Sequence, residues 1–467
     1  MVFTGPPPAR RQSAFPSRIR RFHPRQARAE LALSYRIDAD VTSSAMTSQP
    51  DIVDLTIESL ADQGDGVGTV AGKPVFVPLT LPGDRIDAVR VSATHARATV
   101  WHAYGPNRRE PPCAHFGRCG GCALQHLDPQ VYRDWKIARI TTALARRHVQ
   151  TPVIGPLAET PPGGRRRVSF AARRIGRAVE IGFHERQSHA IVTVERCPVA
   201  DPAIVALLDP LQLLLAEIMP AKRTVDAIVT ASERGLDLLL DGITAAERAK
   251  REKLAAFADR HDLARIALRF GTAAPDIVAI RRAPRCDFEG VQVEPPPGAF
   301  LQASLAGERA IRAAVRGALG GARRIADLYA GCGTIALPLA RSGAHVHAVE
   351  GARDQCDALL RAARGGGIGP QVTVETRDLA RRPLLADELK RFDAVVFDPP
   401  RDGAAAQAEK LAQSKVRTIV GVSCNPATFA RDAATLAAGG YTLRSVTPID
   451  QFLWSPHVEL VGAFARG

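Results

Sequence analysis

Arg324-Ile325-Ala326-Asp327-Leu328-Tyr329-Ala330-Gly331-Cys332-Gly333-Thr334 reads as a short apolar strand running into a tight glycine turn, and Ile335 to Arg341 then opens a helix. Glycines in such a turn let a ligand approach the backbone closely, at the carboxyl end of a strand where open α/β sheets bind nucleotides. The next apolar run, His345 to Val349, ends in Glu350, an acid placed to accept both ribose hydroxyls. Val372 to Thr376 is followed by Asp378, where a carboxylate can accept an adenine amino group. Asp393 to Phe397 leads into Asp398-Pro399-Pro400-Arg401, at the edge where the reactive end of a cofactor would lie. The two-glycine turn alone is a weak signal, and Ala336 would satisfy a nicotinamide fingerprint. The acids after the third and fourth strands favour S-adenosylmethionine instead. Strands alternating with helical stretches over 299–467 predict a doubly wound, Rossmann-like α/β domain.

The same edge receives two further reactive groups. Arg417 to Ser423 is a continuous apolar strand that delivers Cys424, with Asn425 and Pro426 behind it. A cysteine beside helix amino termini sits where a thiolate is favoured. His457-Val458-Glu459 lies near the end of the chain, within reach if the last two strands form a hairpin at the sheet edge.

Upstream, the pattern is different. Short alternating runs at 52–57, 66–70, 74–77, 86–91 and 96–103, punctuated by Gly and Pro, predict a small oligonucleotide-binding β-barrel. Asp62-Gln63-Gly64-Asp65-Gly66-Val67-Gly68, Val75-Phe76-Val77-Pro78 and Leu81-Pro82-Gly83-Asp84 resemble the TRAM domain, an RNA-binding barrel. Residues 1–45 are rich in Arg and Pro, a composition that cannot bury enough apolar surface to order itself. They read as a disordered extension, similar to a transit peptide in composition, or as sequence upstream of a true start at Met46. The expected organisation is therefore 1–45 extension, 46–104 barrel, 105–298 central α+β domain and 299–467 cofactor domain.

A net charge of +14 points to polyanions, and removing residues 1–45 leaves +9. High-GC coding contributes, since 54 of the 62 basic residues are Arg. No apolar run approaches a membrane span, and Leu207 to Met219, interrupted by Asp209, Pro210 and Glu217, reads as a buried helix. Eight cysteines at irregular spacing are not a disulfide framework. Cys113, Cys119 and Cys122, in C-x5-C-x2-C spacing, with Cys197 before Pro198, suit either zinc or an iron-sulfur cluster. Arg165-Arg166-Arg167, Arg173-Arg174 and Arg177 read as a phosphate track or as a solvated Arg-rich hairpin.

Taken in order, Asp327-Leu328-Tyr329-Ala330-Gly331-Cys332-Gly333, Asp398-Pro399-Pro400-Arg401, Ser423-Cys424-Asn425-Pro426 and His457-Val458-Glu459 resemble the RNA uracil-5-methyltransferases, over about residue 51 to the end. The resemblance implies Cys424 as covalent nucleophile and Glu459 as proton-abstracting base. It implies S-adenosylmethionine contacts from Gln302, Tyr329, Thr334, Glu350, Asp378 and Asp398. It also implies a 4Fe-4S cluster on Cys113, Cys119, Cys122 and Cys197, with zinc as the alternative. Ser304 departs from the family, which usually has Asn two places after that Gln. Barrel and cluster together resemble the members acting on 23S ribosomal RNA. A transfer-RNA target and a catalytically inactive RNA-binding or assembly factor are the competing readings. The expected setting is the cytoplasm, with no membrane and no obligate protein partner.

Overall fold

The computed structural model describes residues 51–466 apart from Thr151, Lys222 and Ala245, so the Arg-rich stretch 1–45 lies outside the described residues. Six strands open the described residues: β1 (Ile52–Thr56), β2 (Ser59–Leu60), β3 (Gly66–Val70), β4 (Lys73–Val77), β5 (Arg85–Arg90) and β6 (Ala96–Ala103). They form two three-stranded sheets, ordered β1-β5-β6 and β2-β3-β4, around Leu55, Ile57, Val75, Val77, Ile86 and Ala88. The alternation in the sequence has this cause, since period-two side chains put one face of each strand inside.

Buried polar contacts tie this unit to the cysteine-bearing segment. Asp84 accepts hydrogen bonds from the Leu81 amide at 2.8 Å and the Gly105 amide at 2.7 Å, and it pairs with Arg108. Asp65 pairs with Arg186, and Leu81 packs with Leu124 and Leu127. A buried carboxylate needs such partners to offset its desolvation, so residues 51–108 are joined covalently, electrostatically and by packing to the rest of the chain.

Helix α1 (Pro129–Ala145) begins at Asp128, whose carboxylate accepts from the Gln130 amide at 2.9 Å, with Pro129 in the first turn. Its buried residues Tyr132, Lys136, Ile140 and Leu144 recur every four positions, one stripe of a helix. Two short strands come next, β7 (Val153–Ile154) and β8 (Ala158–Glu159).

The middle of the chain contributes β9 (Arg167–Ile175), β10 (Ala178–His184), β11 (Ile191–Thr193), α2 (Pro202–Ala206), α3 (Leu208–Ile218), β12 (Thr224–Ser232), β13 (Gly235–Asp241), α4 (Arg248–Arg260), β14 (Arg265–Arg269) and β15 (Asp276–Ile280). The strands form one sheet in the order β11-β10-β9-β12-β13-β14-β15, covered by α3, which buries Leu208, Leu211, Leu214, Leu215 and Ile218. A small hairpin, β16 (Cys286–Asp287) and β17 (Gln292–Val293), closes this region.

The remaining elements are α5 (Leu305–Leu319), β18 (Arg324–Leu328), α6 (Ala336–Arg341), β19 (His345–Glu350), α7 (Arg353–Gly365), β20 (Val372–Thr376), α8 (Ala386–Leu389), β21 (Ala394–Phe397), α9 (Ala405–Ala412), β22 (Thr418–Ser423), α10 (Pro426–Ala438), β23 (Tyr441–Asp450) and β24 (Glu459–Arg466). The sheet order is β20-β19-β18-β21-β22-β24-β23-β7, with β8 also on β23. The five strands from β20 to β22 run parallel, and the order reverses beside β18, the switch point where such sheets bind ligands. The last two strands do form an antiparallel pair, with β24 inserted between β22 and β23.

Sequence patterning assigns residues 129–159 to the central segment, yet β7 and β8 extend the C-terminal sheet beyond β23. Ile140, Leu144 and Val149 join a core with Phe429, Ala433, Leu436 and Tyr441. The apolar stripe of α1 finds its cover on α10 rather than on the central sheet. Ser304 also gains an explanation: it caps α5 by accepting from the Gly307 amide at 2.9 Å, and its hydroxyl meets that of Thr160 at 2.7 Å.

The Arg-rich track is largely half-buried and engaged within the protein. Arg166 is buried, pairs with the buried Glu308 and donates to the Gln302 carbonyl at 3.1 Å. Arg165 lies over the Phe452 ring at 5.9 Å, Arg173 pairs with Glu180, and Arg174 donates to the Met219 carbonyl. Of this run Arg177 is exposed. Among the described residues no helix is long and apolar enough to cross a membrane.

Candidate active site

The carboxyl edge of the parallel strands collects the candidate residues. Tyr329, just after β18, adopts φ 61°, a left-handed conformation that is costly for a bulky side chain, and Gly331 and Gly333 follow at 55° and 93°. A Cβ on Gly333 would lie 2.8 Å from Leu337, so this turn requires glycine sterically as well. Glu350 at the end of β19 holds the turn: its two carboxylate oxygens accept from the Gly331 amide at 2.9 Å and the Ala352 amide at 2.8 Å. Asp378, beyond β20, accepts from the Ala380 and Arg381 amides at 3.0 and 3.3 Å. Thr334 is half-buried in the same turn. Tyr329, Thr334, Glu350 and Asp378 thus line one stretch of the edge.

A second group is joined through amides. Gln302 donates to Asp398 at 2.9 Å; Gln451 donates to Gln302 at 2.7 Å and to Glu459 at 2.6 Å. Burial pushes the Asp398 and Glu459 carboxyls above the ordinary range, and the charge on Asp398 pushes Glu459 further. Cys424, at the end of β22, lies within the field of both carboxyls. Its thiol is pushed up to about 11, first by burial and then by Glu459 and Asp398, with Arg401 opposing. The expectation of a favoured thiolate is therefore corrected. The amino terminus of α10 is already capped by Asn425, which accepts from the Ala427 amide at 3.1 Å, and two acids face the sulfur.

The loop that leads into Glu459, at the start of β24, is fastened from α1. Lys136 and Asp450 form a fully buried pair at 2.9 Å; Lys136 also donates to the carbonyls of Phe452, at 3.4 Å, and His457. Tyr132 donates to Asp450 at 2.5 Å and accepts from the Trp454 amide at 2.8 Å. Arg139 donates to the Pro456 carbonyl. Burial and the surrounding Arg401, Lys136, Arg139 and Arg165 push His457 down to about 4, so its ring is neutral.

The cysteine-bearing segment touches this same loop, since the Ala123 and Leu124 amides donate to the Trp454 carbonyl at 2.9 and 3.0 Å. The segment is held to the central sheet by Gly120 donating to the His184 carbonyl at 2.9 Å, and the Glu195 amide reaches His115 at 3.4 Å. Burial pushes the Cys122 thiol up to about 12, with Cys197, Cys119 and Cys113 adding to the effect in that order. Among the described residues, no three or more His, Cys, Asp or Glu are arranged to hold a metal ion.

Three participants are not marked by sequence patterning. Gln451 and Lys136 look like ordinary polar positions, since their partners are remote. Asp327 belongs to the glycine-turn motif without a role that the motif explains. It is 1% exposed, its carboxyl oxygens make no hydrogen bond of good geometry among the described residues, and burial together with Asp398 raises it well above its usual range, with the nearby Ala336 amide opposing. An acid inside an otherwise apolar strand before a glycine turn is the signal that could mark it.

Residues 371–465 match the tRNA (Uracil-5-)-methyltransferase family and residues 51–98 the TRAM domain. A protein of Rhizobium meliloti described as an RNA methyltransferase is 43% identical over 88% of this chain and 99% of its own length. A 23S rRNA (uracil(1939)-C(5))-methyltransferase of Chromohalobacter salexigens is 34% identical over 87% of each chain. The crystal structure of the Pyrococcus abyssi tRNA (uracil-54, C5)-methyltransferase with S-adenosyl-L-homocysteine superposes with a TM-score of 0.67 at 23% identity, covering 88% of this chain and all of that one, a likeness of fold. Barrel, switch-point sheet and overall relatedness lead to one assignment: the chain belongs to the S-adenosylmethionine-dependent RNA uracil-5-methyltransferases.

Proposed function

We propose that the protein methylates carbon 5 of one uridine in 23S ribosomal RNA through a covalent adduct of Cys424, in the cytoplasm. The observation that carries this reading is the convergence of Cys424, Glu459 and Asp398 at the sheet edge, with Gln302 and Gln451 between the carboxyls. Carbon 5 of uracil is a poor nucleophile. Addition of the Cys424 thiolate to carbon 6 turns the ring into an enolate, and S-adenosylmethionine supplies the methyl group. Glu459 then takes the carbon 5 proton, and departure of Cys424 restores the ring. A uridine within a duplex cannot reach Cys424, so the target lies in a loop or is flipped out.

For the cofactor, the residues fit. The buried carboxyl of Asp327 beneath the glycine turn suits a cationic group; Glu350 and Asp378 suit ribose hydroxyls and an adenine amino group, and Gln302, Tyr329, Thr334 and Asp398 complete the set. The ribosomal target is supported by the Chromohalobacter relative together with the barrel and the cysteines. The family description favours a transfer RNA as the second reading. Mapping 5-methyluridine in a deletion strain decides between them: loss at one 23S position is expected, and loss from tRNA alone overturns the ribosomal reading.

Cys113, Cys119, Cys122 and Cys197 are read as ligands of a 4Fe-4S cluster. All four are free and half-buried, and the neighbouring cysteines add to burial in opposing ionisation of Cys119 and Cys122. Protein purified without oxygen is expected to be brown, with about four iron and four sulfide per chain. Stoichiometric zinc without visible absorption would favour the alternative.

A further inference from the structure

Gln451 lies buried between the elements that supply the proposed base and the proposed cofactor contacts, and every polar atom of its amide is engaged. Its Oε1 accepts from the Ala303 backbone amide at 3.0 Å, and its Nε2 donates to Gln302 at 2.7 Å and to Glu459 at 2.6 Å. A backbone N–H can only donate, so Ala303 decides which way this amide faces. The orientation then propagates: Gln302 must turn its oxygen to Gln451 and its NH2 to Asp398, as the 2.9 Å contact has it. Room for Gln451 is made inside α5, where a Cβ on Gly307 would fall 2.6 Å from the Gln451 Cβ. Glycine within a helix costs ~1 kcal/mol relative to alanine, and here that position lets the side chain fit.

We infer that Gln451 is a positioning residue for proton abstraction, holding Glu459 in its reactive orientation and fixing the face of Gln302. The inference rests on Glu459 being the base. In that step the carbon 5–hydrogen bond breaks and its proton passes to Glu459. The freed electron pair re-forms the carbon 5–carbon 6 double bond, and the carbon 6–sulfur bond breaks to return the Cys424 thiolate. Glu459 must be ionised to accept the proton, while burial and Asp398 oppose its ionisation. A hydrogen bond donated to a carboxylate favours the charged form, and among the described residues Gln451 is the side chain that supplies it.

The Glu459 carboxyl lies above its usual range, so the base is ionised only as pH rises through that raised value, and loss of the Gln451 donor moves it higher still. In the full-length protein, Gln451→Met should shift the acid limb of single-turnover methylation upward by about one to two pH units, the size expected for losing a charge-assisted hydrogen bond. The protein–RNA adduct should accumulate below the limb, and the rate should recover at high pH. Gln451→Glu, which keeps the acceptor for Ala303 and removes the donor, should move the limb the same way, and it serves if the Met variant fails to fold. A loss equal at every pH, with the limb unmoved, overturns the inference, as does a parental profile. Glu459→Gln is run alongside: if it turns over without trapping an adduct, the assignment of the base is what fails; if it traps while Gln451 variants keep the parental limb, the role of Gln451 fails alone.

Discussion

Cys424→Ala should lower methyl transfer on the order of 10⁴-fold or more, the scale on which removal of a covalent nucleophile acts, while S-adenosylmethionine binding stays within about twofold by the same partition of roles. The proposed cofactor contacts at the glycine turn, Glu350, Asp378 and Asp398 come from the ends of β18 to β21, and Cys424 comes from the end of β22. Glu459→Gln should behave differently. Its Cys424 is expected to add to carbon 6 and the uracil to take the methyl group at carbon 5; without the base the carbon 5 proton stays, elimination stalls, and a protein–RNA adduct survives denaturing electrophoresis. Normal turnover by Cys424→Ala would overturn the covalent mechanism. The thiol being pushed up to about 11 means that the free enzyme carries little thiolate near neutrality. Alkylation of Cys424 in the free protein should therefore be slow at neutral pH.

The second large effect concerns stability. Lys136→Met removes one half of an ion pair in which both side chains are fully buried and leaves Asp450 with Tyr132 as its remaining side-chain donor. Breaking a buried pair from one side costs ~3–5 kcal/mol, because the surviving charge keeps its desolvation penalty without its partner. The loss should appear as a lower denaturant midpoint, accompanied by slower methylation, since Lys136 also holds the carbonyls of Phe452 and His457 ahead of Glu459. Lys136→Met combined with Asp450→Leu should be less destabilised than the sum of the single changes, because no lone charge remains. Additive losses would show that the pair contributes nothing as a pair.

Much of the architecture is legible locally. The alternation in 52–103, the apolar strand before Gly331, the helical runs and the acids at 350, 378 and 398 arise from periodicity and turn chemistry within a few residues of one another. Leu207 to Met219 is legible as a buried helix for the same reason, and α3 occupies most of it. The candidate site is legible where a residue lies just beyond a strand end, because a parallel sheet delivers every strand end to one edge. Cys424 illustrates the limit: its placement comes from the strand, but its ionisation depends on Glu459 and Asp398, which no local pattern reports.

The sequence by itself determined the order of elements, the strand ends that carry the candidate site and the family to which the chain belongs. Only the tertiary structure decided which buried polar groups meet. Lys136 finds Asp450 across 314 positions, Gln451 finds Gln302 across 149, and Arg166 finds Glu308 across 142. It also decided that β7 and β8 extend the C-terminal sheet, through their pairing with β23, and that α1 packs on α10. The physical reason is that hydrophobic periodicity is a property of neighbours in sequence. The partner of a buried charge or amide is set by which elements pack side by side, and by the desolvation cost that forbids leaving it alone.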